Sequence, residues 1–150
     1  GLRQLTSTKE EESSPCWSPD SRTICFSSSL GGTPALYTIP AAGGTPRRLQ
    51  TTGASYATEP DWSPDGQTIV FTRQSNGGFD ICTVPAAGGE ATVLTRGEDP
   101  SWGPNSRIVV FSRRLGNRRV LSLLDVTTKR VKDIQQFSGT GSYSQPGWAR

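Results

Sequence analysis

A tryptophan-centred heptapeptide returns along this chain at a spacing that few architectures produce. Pro15-Cys16-Trp17-Ser18-Pro19-Asp20-Ser21 is echoed by Pro60-Asp61-Trp62-Ser63-Pro64-Asp65-Gly66, by Pro100-Ser101-Trp102-Gly103-Pro104-Asn105-Ser106, and in part by Pro146-Gly147-Trp148. Successive Trp stand 45, 40 and 46 residues apart, and a period of roughly 20–50 residues signals a repeat architecture. Nine residues after each of the first three Trp comes Phe26, Phe71 or Phe111. Each Phe sits in a short β-prone run: Thr23-Ile24-Cys25-Phe26-Ser27, Thr68-Ile69-Val70-Phe71-Thr72, and Ile108-Val109-Val110-Phe111-Ser112.

A third run follows in every unit, Ala35 to Ile39, Asp80 to Val84 and Arg119 to Leu123. In the first two units it is closed by an identical Pro-Ala-Ala-Gly-Gly turn, Pro40 to Gly44 and Pro85 to Gly89, whose glycines supply positive φ. A fourth run leads outward through Arg47-Arg48-Leu49, Ala91 to Leu94 and Val131 to Ile134, and the opening Leu2 to Thr6 matches the end of such a run. Four short strands per unit joined by tight turns predict an all-β fold, a β-propeller with four-stranded antiparallel blades. About three blades are complete, at approximately 12–50, 57–95 and 98–136, with partial strands at 1–7 and 143–150. A two-sheet sandwich does not explain why the Trp signature returns in register.

Inside the signature, Pro-x-Trp is expected to enter the innermost strand and set its ring against the next blade, where such an aromatic buries ~150–250 Å². Ser-Pro-Asp-Gly then turns the chain, Pro64 presetting φ, Asp65 bonding nearby backbone and Gly66 accepting φ > 0. Ser21 and Ser106 replace that glycine in the other units, so their turns are expected to carry some strain. Because Asp65 recurs as Asp20 and Asn105, it reads as turn chemistry rather than chemistry on a substrate.

The repeat units resemble the TolB-like β-propeller repeat family, the C-terminal propeller of a Tol-Pal envelope protein, and the resemblance covers nearly the whole chain. It implies a periplasmic or extracellular, non-enzymatic scaffold for protein interaction. Similar repeats occur in the propellers of prolyl-oligopeptidase-like hydrolases and of polysaccharide lyases, which leaves the alternative that catalytic residues lie outside this chain. An array with no ligand at all is a third reading. The family's docking surface implies that a protein or peptide meets the channel mouth at the residues before each repeat Pro, Ser14, Glu59, Asp99 and Gln145, with Thr58 and Glu98 beside them. Those residues are expected to end the loops that enter the innermost strands; as plain solvated loop residues they would bind nothing.

Composition removes several classes of activity. The chain has no His, so Ser-His-Asp and Cys-His catalysis and His-bearing zinc sites are excluded. There is no Gly-x-Ser-x-Gly elbow, and the Gly-Gly pairs stand in hairpins rather than before helices. Cys16, Cys25 and Cys82 lack metal spacing and are odd in number, so they read as small buried hydrophobes. Glu59, Glu98 and Asp99 would offer oxygen ligands at the mouth, yet no calcium-loop spacing accompanies them; no cofactor or metal is expected.

No stretch nears the ~20 apolar residues of a membrane helix, and no insertion in a membrane is expected. The chain has no Met, so it is expected to be a processed form or part of something longer, any signal peptide having been lost. Residues 1–100 hold seven Lys or Arg against eleven Asp or Glu, whereas residues 101–150 hold nine against two. The basic residues crowd at Arg113, Arg114, Arg118 and Arg119 and at Lys129, Arg130 and Lys132. Without interleaved aromatic platforms this does not read as a nucleic-acid surface, and opposed charge at the two ends of an arc suits head-to-tail association. Three blades leave their outermost faces uncovered as apolar patches, so missing blades or a second copy is expected to complete the ring, and two copies would make six blades.

Overall fold

Short β-branched runs that alternate between two buried faces form strands throughout the computed structural model, which describes residues 2–134 and 145–148. In the first sheet β1 (Glu12–Trp17), β2 (Thr23–Ser28), β3 (Ala35–Pro40) and β4 (Arg47–Arg48) follow in chain order. A small strand β5 (Thr51–Thr52) leads to the second sheet, made of β6 (Ala57–Trp62), β7 (Thr68–Ser75), β8 (Gly78–Pro85) and β10 (Thr92–Arg96). Between its last two members lies β9 (Gly89–Glu90), which pairs in parallel with β5 and ties the first crossover to the second sheet's Ala-Gly-Gly turn. The third sheet comprises β11 (Glu98–Trp102), β12 (Ile108–Leu115), β13 (Arg118–Asp125) and β14 (Val131–Asp133). All three four-stranded sheets are antiparallel meanders. No helix of the described residues is long and apolar enough to cross a membrane.

Period-two alternation gives each sheet two faces with different jobs. In the second sheet Ile69 and Phe71 share one face with Cys82 and Val84, opposite them in register. This face packs on Cys16, Cys25 and Leu36 of the first sheet, with Leu49 and Ala57 completing the cluster. Val70 and Ile81 point the other way, into a second cluster with Trp102, Val109, Phe111 and Leu124 of the third sheet. The large residues of one blade thus close on the smaller residues of the blade before it. Phe71 and Phe111 are fully buried there, which places the core between the sheets.

Among the described residues no further sheet packs on the outer face of the first sheet, yet that face is not the exposed apolar patch expected from sequence. Phe26, Ala35, Tyr37 and Ile39 are buried, and Leu5 packs on them from the N-terminal segment. Phe26 and Tyr37 stack with centroids 6.1 Å apart. Residues 2–8 form no strand. Residues 145–148 likewise lack strand pairing, and residues 1, 143, 144, 149 and 150 of the expected end strands lie outside the described residues.

The Ser-Pro-Asp turns are built alike. Asp20 and Asp65 accept from the side chains of Ser18 and Ser63 at 2.6 Å and from the backbone N–H of Arg22 and Gln67 at 3.0 Å. The serine oxygens in turn accept from Thr23 and Thr68 N–H at 2.9 Å. Gly103 has no hydroxyl to do so, and Asn105 Oδ1 takes both Arg107 and Ile108 N–H at 3.0 Å instead. The turn position that holds Gly66 at φ 77° holds Ser21 at φ 59° and Ser106 at φ 52°. Ser106 recovers something from its strained backbone, since its hydroxyl accepts from Asp65 N–H of the preceding blade at 2.9 Å.

Candidate functional site

The residue before a proline prefers extended backbone, and a non-glycine residue at φ > 0 is strained by ~1–3 kcal/mol. The chain breaks both rules once per repeat. Ser14, Glu59, Asp99 and Gln145 have φ of 52°, 53°, 54° and 51°. In the three sheets each of the first three lies where the pairing of the innermost strand slips, between Ser13 and Cys16, Thr58 and Asp61, and Glu98 and Ser101. One extra residue on the inner strand faces a shorter span of its neighbour, which is a β-bulge and re-aims the side chain there. Ser14, Glu59 and Asp99 are therefore not loop ends, as their position before Pro predicts, but bulge residues inside β1, β6 and β11.

Strain of this size persists only where the surroundings fix it, and at Asp99 and Gln145 the fixing bonds come from one repeat before. Glu59 Oε2 accepts from Thr72 Oγ1 at 2.5 Å and from the backbone N–H of Asp99, in the next blade, at 3.0 Å. Asp99 N–H also reaches Thr72 Oγ1 at 3.2 Å. The step repeats one unit on, where Asp99 Oδ2 accepts from Gln145 N–H at 3.3 Å. The carboxylates of Glu59 and Asp99 thus hold the backbone of the equivalent residue one repeat on. Ser14 is exposed and its side chain has no such bond to a described residue.

Burial pushes the Glu59 carboxyl above its ordinary value, against the opposing hydrogen bonds from Thr72 and Asp99 N–H and together with the nearby Asp99 carboxylate. Thr58 stands half-buried in β6 opposite Thr72. Glu98 is joined to Arg119, whose other terminal nitrogen lies 3.9 Å from Asp99. Thr58, Glu59, Glu98 and Asp99 are consequently brought together across the second and third blades, Gln145 joins them through its backbone, and Ser14 stays apart at the first blade. Among the described residues no group of three His, Cys, Asp or Glu side chains is placed to hold a metal ion.

Two contributors escape the sequence pattern. Thr72 is buried and bridges both carboxylate-bearing bulges; its only signal is that Ser27, Thr72 and Ser112 recur directly after the repeat Phe. Arg119 belongs to the basic run at 113–119, in which Arg113 donates to Asp133 from Nε at 2.9 Å and from Nη2 at 2.6–2.8 Å, and Arg119 donates to Glu98. Beside these pairs a pocket of about 450 Å³ opens between the β7–β8 and β12–β13 hairpins, lined by Arg96, Arg114, Arg119, Phe79 and Glu98 among others. The arrangement places carboxylate acceptors on a fixed backbone beside guanidinium groups.

A family model described as the TolB beta propeller domain matches residues 1–150. Among solved structures, TolB from Agrobacterium tumefaciens superposes with a TM-score of 0.86 at 21% identity over 98% of this chain, and TolB from Acinetobacter baumannii with 0.81 at 26% identity over 98%. The chain spans 53% of the first protein and 36% of the second. The β-propeller domain of the Trilobed protease from Pyrococcus furiosus matches at 0.62, with 16% identity over 88% of this chain and 46% of its own.

Proposed function

Because the chain belongs to the TolB β-propeller family, we propose that it is a non-enzymatic scaffold that docks a protein or peptide segment at Ser14, Thr58, Glu59, Glu98, Asp99 and Gln145, in the periplasm or outside the cell. The observation that carries this reading is the row of left-handed, pre-proline residues, each costly by itself, in which the carboxylates of Glu59 and Asp99 hold the backbone of Asp99 and Gln145. Strained backbone concentrates at sites of function, and polar groups held on rigid strands give a partner a surface that needs no ordering on binding. The oxygens of Glu59 and Asp99 are engaged with backbone amides, an arrangement for binding rather than for shuttling protons. Peptides selected on the whole protein from a random library test it. Thr58→Lys, which removes no hydrogen bond of the bulge chain, is expected to weaken them by at least about tenfold; unchanged affinity contradicts the site.

The scaffold is further proposed to pair with a second copy and complete a six-bladed ring. Leu121 and Leu123 lie half-exposed on the outer face of the third sheet, and net charge changes sign between residues 1–100 and 101–150. A second reading is favoured by the likeness to peptidase propellers, including an acylaminoacyl peptidase from Pyrococcus horikoshii at a TM-score of 0.62 and 13% identity. In it the chain is the propeller part of a hydrolase or lyase, and chemistry belongs to residues outside this sequence.

A further inference from the structure

All three cysteines are buried free thiols, and two of them face each other. Cys16 in β1 and Cys25 in β2 are directly opposed in register, and both belong to the apolar cluster between the first and second sheets. The repeat does not call for this pairing. The equivalent opposed residues are Asp61 with Val70 in the second sheet and Ser101 with Val110 in the third. A polar residue opposite valine satisfies the position twice, whereas the first sheet carries sulfur on both strands.

Residues opposed on antiparallel strands have Cα atoms about 4.5–5.5 Å apart, inside the roughly 4.4–6.8 Å that a disulfide spans. The side chains meet as well. A hydrogen bond with Cys16, and after it burial, pushes the Cys25 thiol well above its ordinary value. Cys82 shares the cluster but stands opposite Phe71 and Val93. Burial pushes its thiol up to about 11, with Arg73 and Asp80 as the charges that act on it rather than another sulfur. Thiolate is the reactive form of cysteine, and a thiol raised by burial supplies little of it. Bond formation between Cys16 and Cys25 therefore belongs to folding, before the second sheet covers the two sulfurs.

We propose that Cys16 and Cys25 form a disulfide site, joined by a disulfide oxidant as the chain folds in an oxidising compartment. One cysteine thiolate attacks the oxidant's disulfide, making a mixed disulfide and releasing one thiol. The other cysteine, as thiolate, attacks the bonded cysteine sulfur and releases the second thiol. The two cysteines give up two electrons to the oxidant, and their two protons end on the released thiols. The bond ties down β1 two residues beyond the strained Ser14 and stabilises by constraining the unfolded chain. Its occurrence in the cell rests on the periplasmic or extracellular reading, but the chemistry is tested on the purified protein and fails or holds apart from that reading.

The whole protein, reduced and unfolded in urea, is refolded with reduced and oxidised glutathione, alkylated with iodoacetamide and cut with trypsin without reduction. Cleavage after Lys9, Arg22 and Arg47 puts Cys16 and Cys25 on separate peptides. Peptides 10–22 and 23–47 are expected to stay joined with Cys82 alkylated, and the oxidised protein is expected to unfold at higher urea than the reduced protein. Cys25→Val, which places there the residue type of Val70 and Val110, is expected to fold, to leave Cys16 alkylated and to abolish the urea difference. Should it misfold, Cys16→Ser, after Ser101, is expected to do the same with Cys25 alkylated. Alkylation of both Cys16 and Cys25 after refolding with oxidised glutathione, a bond from either to Cys82, or a joined protein that unfolds at lower urea than the reduced one overturns the proposal.

Discussion

Glu59 shows how one residue serves both fold and site. Its carboxylate is drawn into a half-buried position because Asp99 N–H and Thr72 Oγ1 need an acceptor there, and burial raises its pKa above the ordinary 4.5. A carboxyl raised on folding binds protons more readily in the folded chain. Its stabilising contribution is therefore complete below about pH 4.5 and is lost as pH rises through the raised folded value. Glu59→Gln removes that titration, so the stability of the native protein relative to the variant is expected to fall as pH rises above about 4.5 in urea unfolding curves. Asp20, Asp65 and Asp133 are shifted down by hydrogen bonds, with Ser18, Ser63 and Ser122 first among the donors, and the Arg107 guanidinium holds Asp125 at about 2. These four act in the opposite sense and in a separate window, losing their contribution as pH drops below about 3.8. The identity of the bulge residues was legible because each precedes a repeat Pro. Their left-handed backbone was not, since sequence gives pre-proline residues the contrary preference, and the bonds that hold the backbone of Asp99 and Gln145 come from a residue one repeat away.

At the scale of strands and turns, repetition made most of the architecture readable. Each Phe-bearing run and each Ala-Gly-Gly turn appears in matching places, so a doubtful strand in one unit was settled by its equivalents in the others. Strand pairing that repetition does not carry stayed hidden, as with the parallel contact of Thr51-Thr52 with Gly89-Glu90, two short polar segments far apart in sequence. The turns allow a direct comparison. Ser21 at φ 59° occupies the place Gly66 takes in the second blade, and its side chain makes no hydrogen bond to a described residue. Ser21→Gly is expected to raise stability by ~0.5–1 kcal/mol by relieving the left-handed backbone, less the entropy that glycine loses. Ser106→Gly is expected to gain less, because it gives up the bond to Asp65 N–H. Thermal unfolding of the two variants checks the order.

For the whole molecule, three sheets stacked by alternating faces leave unlike ends. The first sheet is covered by Leu5 and its own N-terminal segment, while the third presents Leu121 and Leu123. From sequence alone both ends are bare, because the N-terminal run matches a fourth strand and a strand without a ladder leaves no pattern that tells of packing. If two copies close a ring, the solution mass is about 32 kDa, twice the 16.1 kDa of one chain; a 16.1 kDa species that persists at high concentration removes that model. The central claim is that the bulge row is the docking surface, and hydrogen exchange of the protein with and without a selected peptide tests it most directly. The account predicts slowed exchange confined to residues 57–59 and 98–99, with the outer strand Thr92–Arg96 unchanged. Slowing on the outer strand while the bulge amides exchange as before would contradict it.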